Sequence, residues 1–246
     1  MNILNMEHIS KLYGDKQIFE DVSFGLQEGD KVGIIGINGT GKSTLLKIAA
    51  GLEEADSGQV TCQNGLRISY LPQDPEFPRE ATVASYALDG VQETDWKVQS
   101  MLNQLGIPRL DARLDELSGG QKRRVAMAKA FSAEADVLLL DEPTNHMDEA
   151  MLDWLEQYLR AFKGAVLMVT HDRYFLDQVS NKILEISHGS VYEYEANYSG
   201  FLERKAEREE MELASQRKRQ SILRMELEWA KRGCRARSTK QKARLQ

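Results

Sequence analysis

The stretch Gly36-Ile37-Asn38-Gly39-Thr40-Gly41-Lys42-Ser43 fits the pattern G-x-x-x-x-G-K-[ST] at every fixed position. Upstream, Lys31 to Ile35 is an apolar run that stops at glycine, as a buried strand does. Downstream, Lys42-Ser43-Thr44-Leu45-Leu46-Lys47-Ile48 reads as a helix. Glycines in such a loop let backbone N–H groups wrap phosphates without a clash from Cβ. The helix N-terminus behind it adds the positive end of its dipole. In this pattern Lys42 reaches between the β- and γ-phosphates of a nucleotide, and the Ser43 hydroxyl ligates Mg²⁺. Gly36, Asn38, Gly39, Thr40, Gly41, Lys42, Ser43 and Thr44 are therefore the candidate nucleotide-binding residues.

Two further elements support this reading. Val137-Leu138-Leu139-Leu140-Asp141-Glu142 is an apolar strand ending in two carboxylates. Alternation along a strand points the two in opposite directions. One can hold a metal's water shell while the other faces an attacking water, so the metal role falls to Asp141 and the general-base role to Glu142. The third element is Leu117-Ser118-Gly119-Gly120-Gln121. Ser118 is a good N-cap, and two glycines then open a helix with free N–H groups, which makes a second anion site. One domain rarely needs two γ-phosphate sites, so this one is expected to serve a nucleotide held by another domain.

The rest of the chain sets these elements in an α/β frame. Residues 1–30 read as short strands with a turn at Tyr13-Gly14-Asp15-Lys16, which suggests an added antiparallel layer. Gln59 to Cys62 and Arg67 to Leu71 look like strands separated by Asn64-Gly65. Val83 to Leu105 and Gly119 to Phe131 look helical, as does Ala150 to Phe162. Ala165 to Val169 reads as another buried strand. Lys182 to Ile186 and Ser190 to Tyr194 read as two edge strands closing the domain near residue 198. Buried β-runs alternating with helices imply a largely parallel sheet. The expected fold is a P-loop NTPase with a mixed, parallel-cored sheet, an antiparallel β subdomain and a helical subdomain at about residues 75–133. A long C-terminal helix follows.

No run of 18 apolar residues is present, and Met1 to Met6 lacks the features of a signal peptide. Cys62 and Cys234 have no metal-ligand spacing, so a cytoplasmic setting with reduced thiols is expected. The net charge of −6 hides a split: residues 201–246 carry 14 Lys and Arg against 7 Asp and Glu. An acidic body thus bears a basic tail, and the tail is the part expected to meet an anionic partner. Phe201 to Arg232 contains no proline or glycine and reads as one helix, with Gly233 as a candidate break.

In this order the three motifs resemble the ATP-binding cassette superfamily, over residues 1 to about 195. The resemblance implies that Tyr13 stacks on adenine and that Gln73 is the Q-loop residue near Mg²⁺ and the attacking water. It likewise implies that Asp148 is the D-loop aspartate at a dimer seam and that His171 is the switch histidine on the γ-phosphate. Ser118, Gly119, Gly120 and Gln121 become the signature that acts in trans on the nucleotide of a facing cassette. Glu142-Pro143-Thr144-Asn145-His146-Met147-Asp148 and Thr170-His171-Asp172-Arg173-Tyr174-Phe175-Leu176-Asp177 are similar to the ABC-F group. Those proteins carry two cassettes in one chain, joined by a helical linker, and act on ribosomes rather than in membranes.

Asn197-Tyr198-Ser199-Gly200-Phe201 and Trp229-Ala230-Lys231-Arg232-Gly233 are similar to the two ends of that linker's first helix. The implied division is a nucleotide-binding domain at 1–198 and a truncated linker at 199–246, with the second cassette absent. Lys231, Arg232, Arg235, Arg237, Lys240, Lys242 and Arg244 follow the last acidic residue and are the candidate contacts to rRNA or tRNA. The expected function is that of an ATP-hydrolysing half of a ribosome-acting protein, in translation or in antibiotic resistance. The alternative is a nucleotide-binding subunit of a membrane transporter, and a non-catalytic dimerisation module is a third reading.

Overall fold

A computed structural model describes residues 2–89, 95–145 and 147–242, with only the backbone for Asp95 and residues 231–242. Two sheets form. The first is antiparallel and three-stranded, in the order β2-β1-β4, from β1 (Asn2–Tyr13), β2 (Lys16–Gln27) and β4 (Ser57–Cys62). The second has six strands, in the order β5-β6-β7-β3-β8-β9. Its members are β3 (Lys31–Gly36), β5 (Ile68–Leu71), β6 (Val137–Asp141), β7 (Ala165–Val169), β8 (Lys182–Ser187) and β9 (Ser190–Tyr194). All its pairings are parallel except β8 with β9.

Alternation along these strands feeds two cores. Val137 and Leu139 of β6, with Ala165, Leu167 and Val169 of β7, pack with the antiparallel sheet and α1 (Lys42–Ala49). Leu138 and Leu140, with Val166 and Met168, face a helical layer. That layer contains α2 (Val83–Ala87), α3 (Asp95–Gln104), α4 (Gly119–Ser132), α5 (Glu149–Ala161) and α6 (Arg173–Val179). Every residue of β6 and β7 is buried, which explains why both read as unbroken apolar runs. Each Val or Leu so buried contributes roughly 1.5–3 kcal/mol.

Two local readings need correction. Strand β8 is not an edge: it lies between β3 and β9, and its first five residues are buried. The polar Lys182 and Glu185 within it are each satisfied inside. Lys182 pairs with Glu193 at 2.7 Å, and Glu185 accepts from the Tyr194 hydroxyl at 3.0 Å. Gly233 does not break the last helix, for α7 runs from Tyr198 to Lys242. One glycine costs only about 1 kcal/mol against alanine, less than a long run of good helix formers supplies.

The chain divides into two compact units, one reaching to Ser199 and the other beginning at Gly200. Within the second, Lys205–Glu209 and Arg208–Glu212 pair across one helical turn. Its described side chains include exposed Met211, Ile222, Met225 and Trp229. Among the described residues no helix is long and apolar enough to cross a membrane.

Candidate nucleotide-binding site

The parallel pairing builds the site. Strands β6, β7 and β3 are neighbours running the same way. Their C-terminal ends therefore deliver Glu142, His171 and the loop after Gly36 to one edge of the sheet, where α/β folds place ligands. There the chain lines a cavity of about 660 Å³. Of the expected residues, Tyr13, Asn38, Gly39, Gly41, Lys42, Ser43, Thr44, Gln73, Glu142 and His171 all line it.

The loop is shaped by its glycines. Gly41 has φ +96°, and a Cβ there would lie 2.2 Å from Ile18 Cγ2. Thr40 Oγ1 donates to the Ile37 carbonyl at 2.8 Å, closing the turn. Lys42 Nζ donates to the carbonyls of Gly36 at 2.9 Å and Ile37 at 3.2 Å. An ammonium has three donors, so one remains for an anion. Burial pulls the Lys42 pKa below the usual lysine value, while Glu142 and Asp141 oppose that pull.

The carboxylates occupy different surroundings. Burial raises the Asp141 pKa, and a hydrogen bond from the Ser43 side chain opposes the rise. Its Oδ1 is buried with no hydrogen-bond partner. Glu142 turns out of β6 at φ +50°, a left-handed conformation that costs a non-glycine residue on the order of 1–3 kcal/mol. Its N–H donates to Val169 O at 2.8 Å. The carboxylate is buried, and burial raises its pKa. Oε1 lies 3.3 Å from His171 Nε2, whereas Oε2 has no partner. Two buried carboxylates with orphaned oxygens beside a lysine and a serine hydroxyl suit a hard cation and a polar reactant.

Tyr13 is half exposed at the rim. Its hydroxyl donates to Glu53 and lies 3.5 Å from Thr44 Oγ1, and Lys11 Nζ lies 5.6 Å from the ring centroid. Four residues not among the expected site residues also line the cavity: Lys16, Ile18, Asn145 and Val169. Lys16 Nζ donates to Gly39 O at 2.9 Å. It lies next to the Tyr13 turn and outside any motif, so only that proximity could have flagged it.

Other expected residues lie apart from the cavity lining. Ser118 caps α4 through a reciprocal box: its Oγ accepts from Gln121 N at 3.3 Å, and Gln121 Oε1 accepts from Ser118 N at 3.0 Å. Asp148 caps α5, accepting from Met151 N at 2.9 Å, and pairs with Arg124 at 2.9 Å. Lys231, Arg232, Arg235, Arg237, Lys240 and Lys242 lie on the backbone of α7, and their side chains are outside the description. Arg244 lies outside the described residues.

A glycine loop between β3 and α1, with two carboxylates at the end of β6, one strand removed from β3 across β7, defines a P-loop nucleotide-binding domain. The profile of the ABC transporter family matches residues 19–145, and a second profile with the same description matches 184–246. The chain is 42% identical to the Bacillus subtilis (strain 168) "Uncharacterized ABC transporter ATP-binding protein YfmR", covering 100% of this chain and 46% of that protein. It is 38% identical to the "Energy-dependent translational throttle protein EttA" of Mycobacterium tuberculosis (strain ATCC 25618 / H37Rv), over 99% of this chain and 51% of the relative. EttA of Escherichia coli (strain K12) is 34% identical, at 99% and 52% coverage. The chain thus spans about half the length of the curated relatives it matches. A solved "Structure of ATP binding subunit of ABC transporter" superposes with a TM-score of 0.72 at 24% identity, covering 78% of this chain and 90% of that one, which shows the fold. The chain belongs to the ABC transporter family, as one of its ATPase cassettes. EttA is an ABC-F protein, so the resemblance to that group stands.

Proposed function

We propose that this cassette hydrolyses ATP in a pocket that a second cassette completes, and that it belongs to an ABC-F protein acting on the ribosome. The observation that carries the first part is the separation of two anion sites within one lobe. The glycine loop lines the cavity, whereas the capped N-terminus of α4 does not. A site used on a facing lobe is the economical account of that arrangement.

In this mechanism Tyr13 stacks on the base, the loop amides and Lys42 hold the phosphates, and Glu142 accepts the proton of the attacking water. His171, beside Glu142, contacts the γ-phosphate and orients the carboxylate. Ser43, Asp141 and Gln73 would hold Mg²⁺, which when bound neutralises charge on the β- and γ-phosphates. The Ser118 hydroxyl and the Gly119 and Gly120 amides of the facing cassette complete the charge stabilisation, with Gln121 closing the box that presents them and Asp148 at the seam.

If the reading is right, turnover per molecule of this chain rises with protein concentration as lobes pair. A rate per molecule that is constant across concentrations overturns the shared-site account. Nucleotide affinity, measured separately, reports on the pocket alone.

The ribosome reading rests on the EttA relatives and on the basic end of α7. Residues 199–246 are then the start of a linker from a cassette at 1–198, in a cytoplasmic protein. Contacts from six or seven cations to RNA phosphates make binding fall steeply with salt. The chain should therefore pellet with ribosomes at low salt and be released by roughly 200 mM salt. Pelleting that ignores both salt and removal of residues 231–246 overturns the tail assignment. A transporter subunit is the less favoured reading, because the matched relatives at 34–38% identity are named for translation.

A further inference from the structure

Helix α4 carries an arginine whose bonds tie together parts of the site that the motifs describe separately. Arg123 lies two residues beyond the Ser118–Gln121 capping box and is only 7% exposed. Its Nη1 donates to the carbonyls of Pro72 and Gln73. Its Nη2 donates to the carbonyls of Asp141 at 2.7 Å and Glu142 at 2.9 Å. The guanidinium thus bridges the end of β5 and the end of β6, two loops that the chain connects only through α2, α3 and α4. It does so from the helix that presents the second anion site.

We propose that Arg123 is a positioning residue that fixes the backbones of Gln73 and Glu142 and couples both to the helix that presents Ser118–Gln121. The inference rests on the ATPase reading above. Four bonds in two pairs need a flat, forked cation, and a lysine ammonium offers three donors from a single point. Burying a guanidinium is costly, and burial pulls its pKa below the usual arginine value while Asp141, Asp74 and Glu142 oppose that. The bonds fall where the backbone needs support, since Glu142 holds φ +50° against its own preference. An α-helix moves as a rigid rod. A shift of the Gln73 or Glu142 peptide that accompanies nucleotide binding is therefore transmitted to the N-terminus of α4, a turn away. Arg123 would in this way report occupancy of its own pocket to the surface that serves a facing one.

The test compares the full chain with Arg123→Lys and Arg123→Met. Circular dichroism measures folding, a fluorescent ATP analogue measures affinity, and phosphate release measures turnover. Amide hydrogen exchange is followed at Lys42–Thr44 and in the first two turns of α4, with and without Mg-ATP. In the unaltered chain ATP slows exchange at both places. In Arg123→Lys, affinity stays within about threefold and the Lys42–Thr44 response persists, while turnover falls about tenfold or more and the α4 response is lost. That split is not what a plain core staple produces, which would lower folding, affinity and turnover together in both variants; such a parallel loss overturns the proposal. Unchanged turnover with an unchanged α4 response in Arg123→Lys overturns it as well. If the unaltered chain responds at Lys42–Thr44 but not in α4, this proposal fails alone. If it responds at neither, the nucleotide reading fails with it.

Discussion

Replacing Glu142 with glutamine leaves ATP binding in place and lowers turnover by roughly 10²–10⁴-fold. The side chain is nearly isosteric, so the left-handed turn at φ +50° and the bond from its N–H to Val169 O persist. What disappears is an acceptor able to take a proton. The carboxylate is suited to that work because burial raises its pKa, which makes it a better base than an exposed glutamate. His171 Nε2 lies 3.3 Å from it and limits the rise. Affinity is read by equilibrium binding and chemistry by phosphate release in a single turnover. Near-normal release in the variant would mean that another group takes the proton.

Replacing Gly41 with alanine is expected to damage both the nucleotide site and the fold. It loses at least about 100-fold in ATP affinity, since a loop misplaced by an ångström loses its amide contacts together. The added Cβ would lie 2.2 Å from Ile18 Cγ2 and 2.8 Å from Phe19 Cζ, and Phe19 is fully buried. Neither neighbour is the far end of a flexible chain. The position also demands φ +96°, which alanine resists. Strain and overpacking each cost on the order of 1–3 kcal/mol, so the melting temperature drops by roughly 5–15 °C. Thermal melting and nucleotide titration check both parts. A variant that binds ATP within threefold of the parent would show that β2 yields where the packing says it cannot.

The legible parts of the chain were those with local causes. β7 was read to the residue, because a fully buried parallel strand is a bare apolar run. The Ser118 cap was legible because its partner Gln121 is three residues away. The strands on either side of Asn64-Gly65 were found, but β4 joins the antiparallel sheet and β5 the edge of the other. No residue within either strand says which, since each is short and only partly buried. The edge reading of β8 failed for a related reason: Lys182 and Glu185 find their partners in Glu193 and Tyr194 of the neighbouring strand.

Sequence alone determined the phosphate loop, the carboxylate pair and the capped helix, because each is a contiguous pattern whose geometry follows from glycine freedom, strand alternation or helix capping. Only the tertiary structure decided that Lys42, Glu142 and His171 share one cavity, and that Arg123 joins the loops around it. Residues some hundred positions apart meet because β6, β7 and β3 pair in parallel and end at the same edge. That pairing is chosen by the burial of whole strands in two cores, a sum over many side chains that no single stretch of the chain contains.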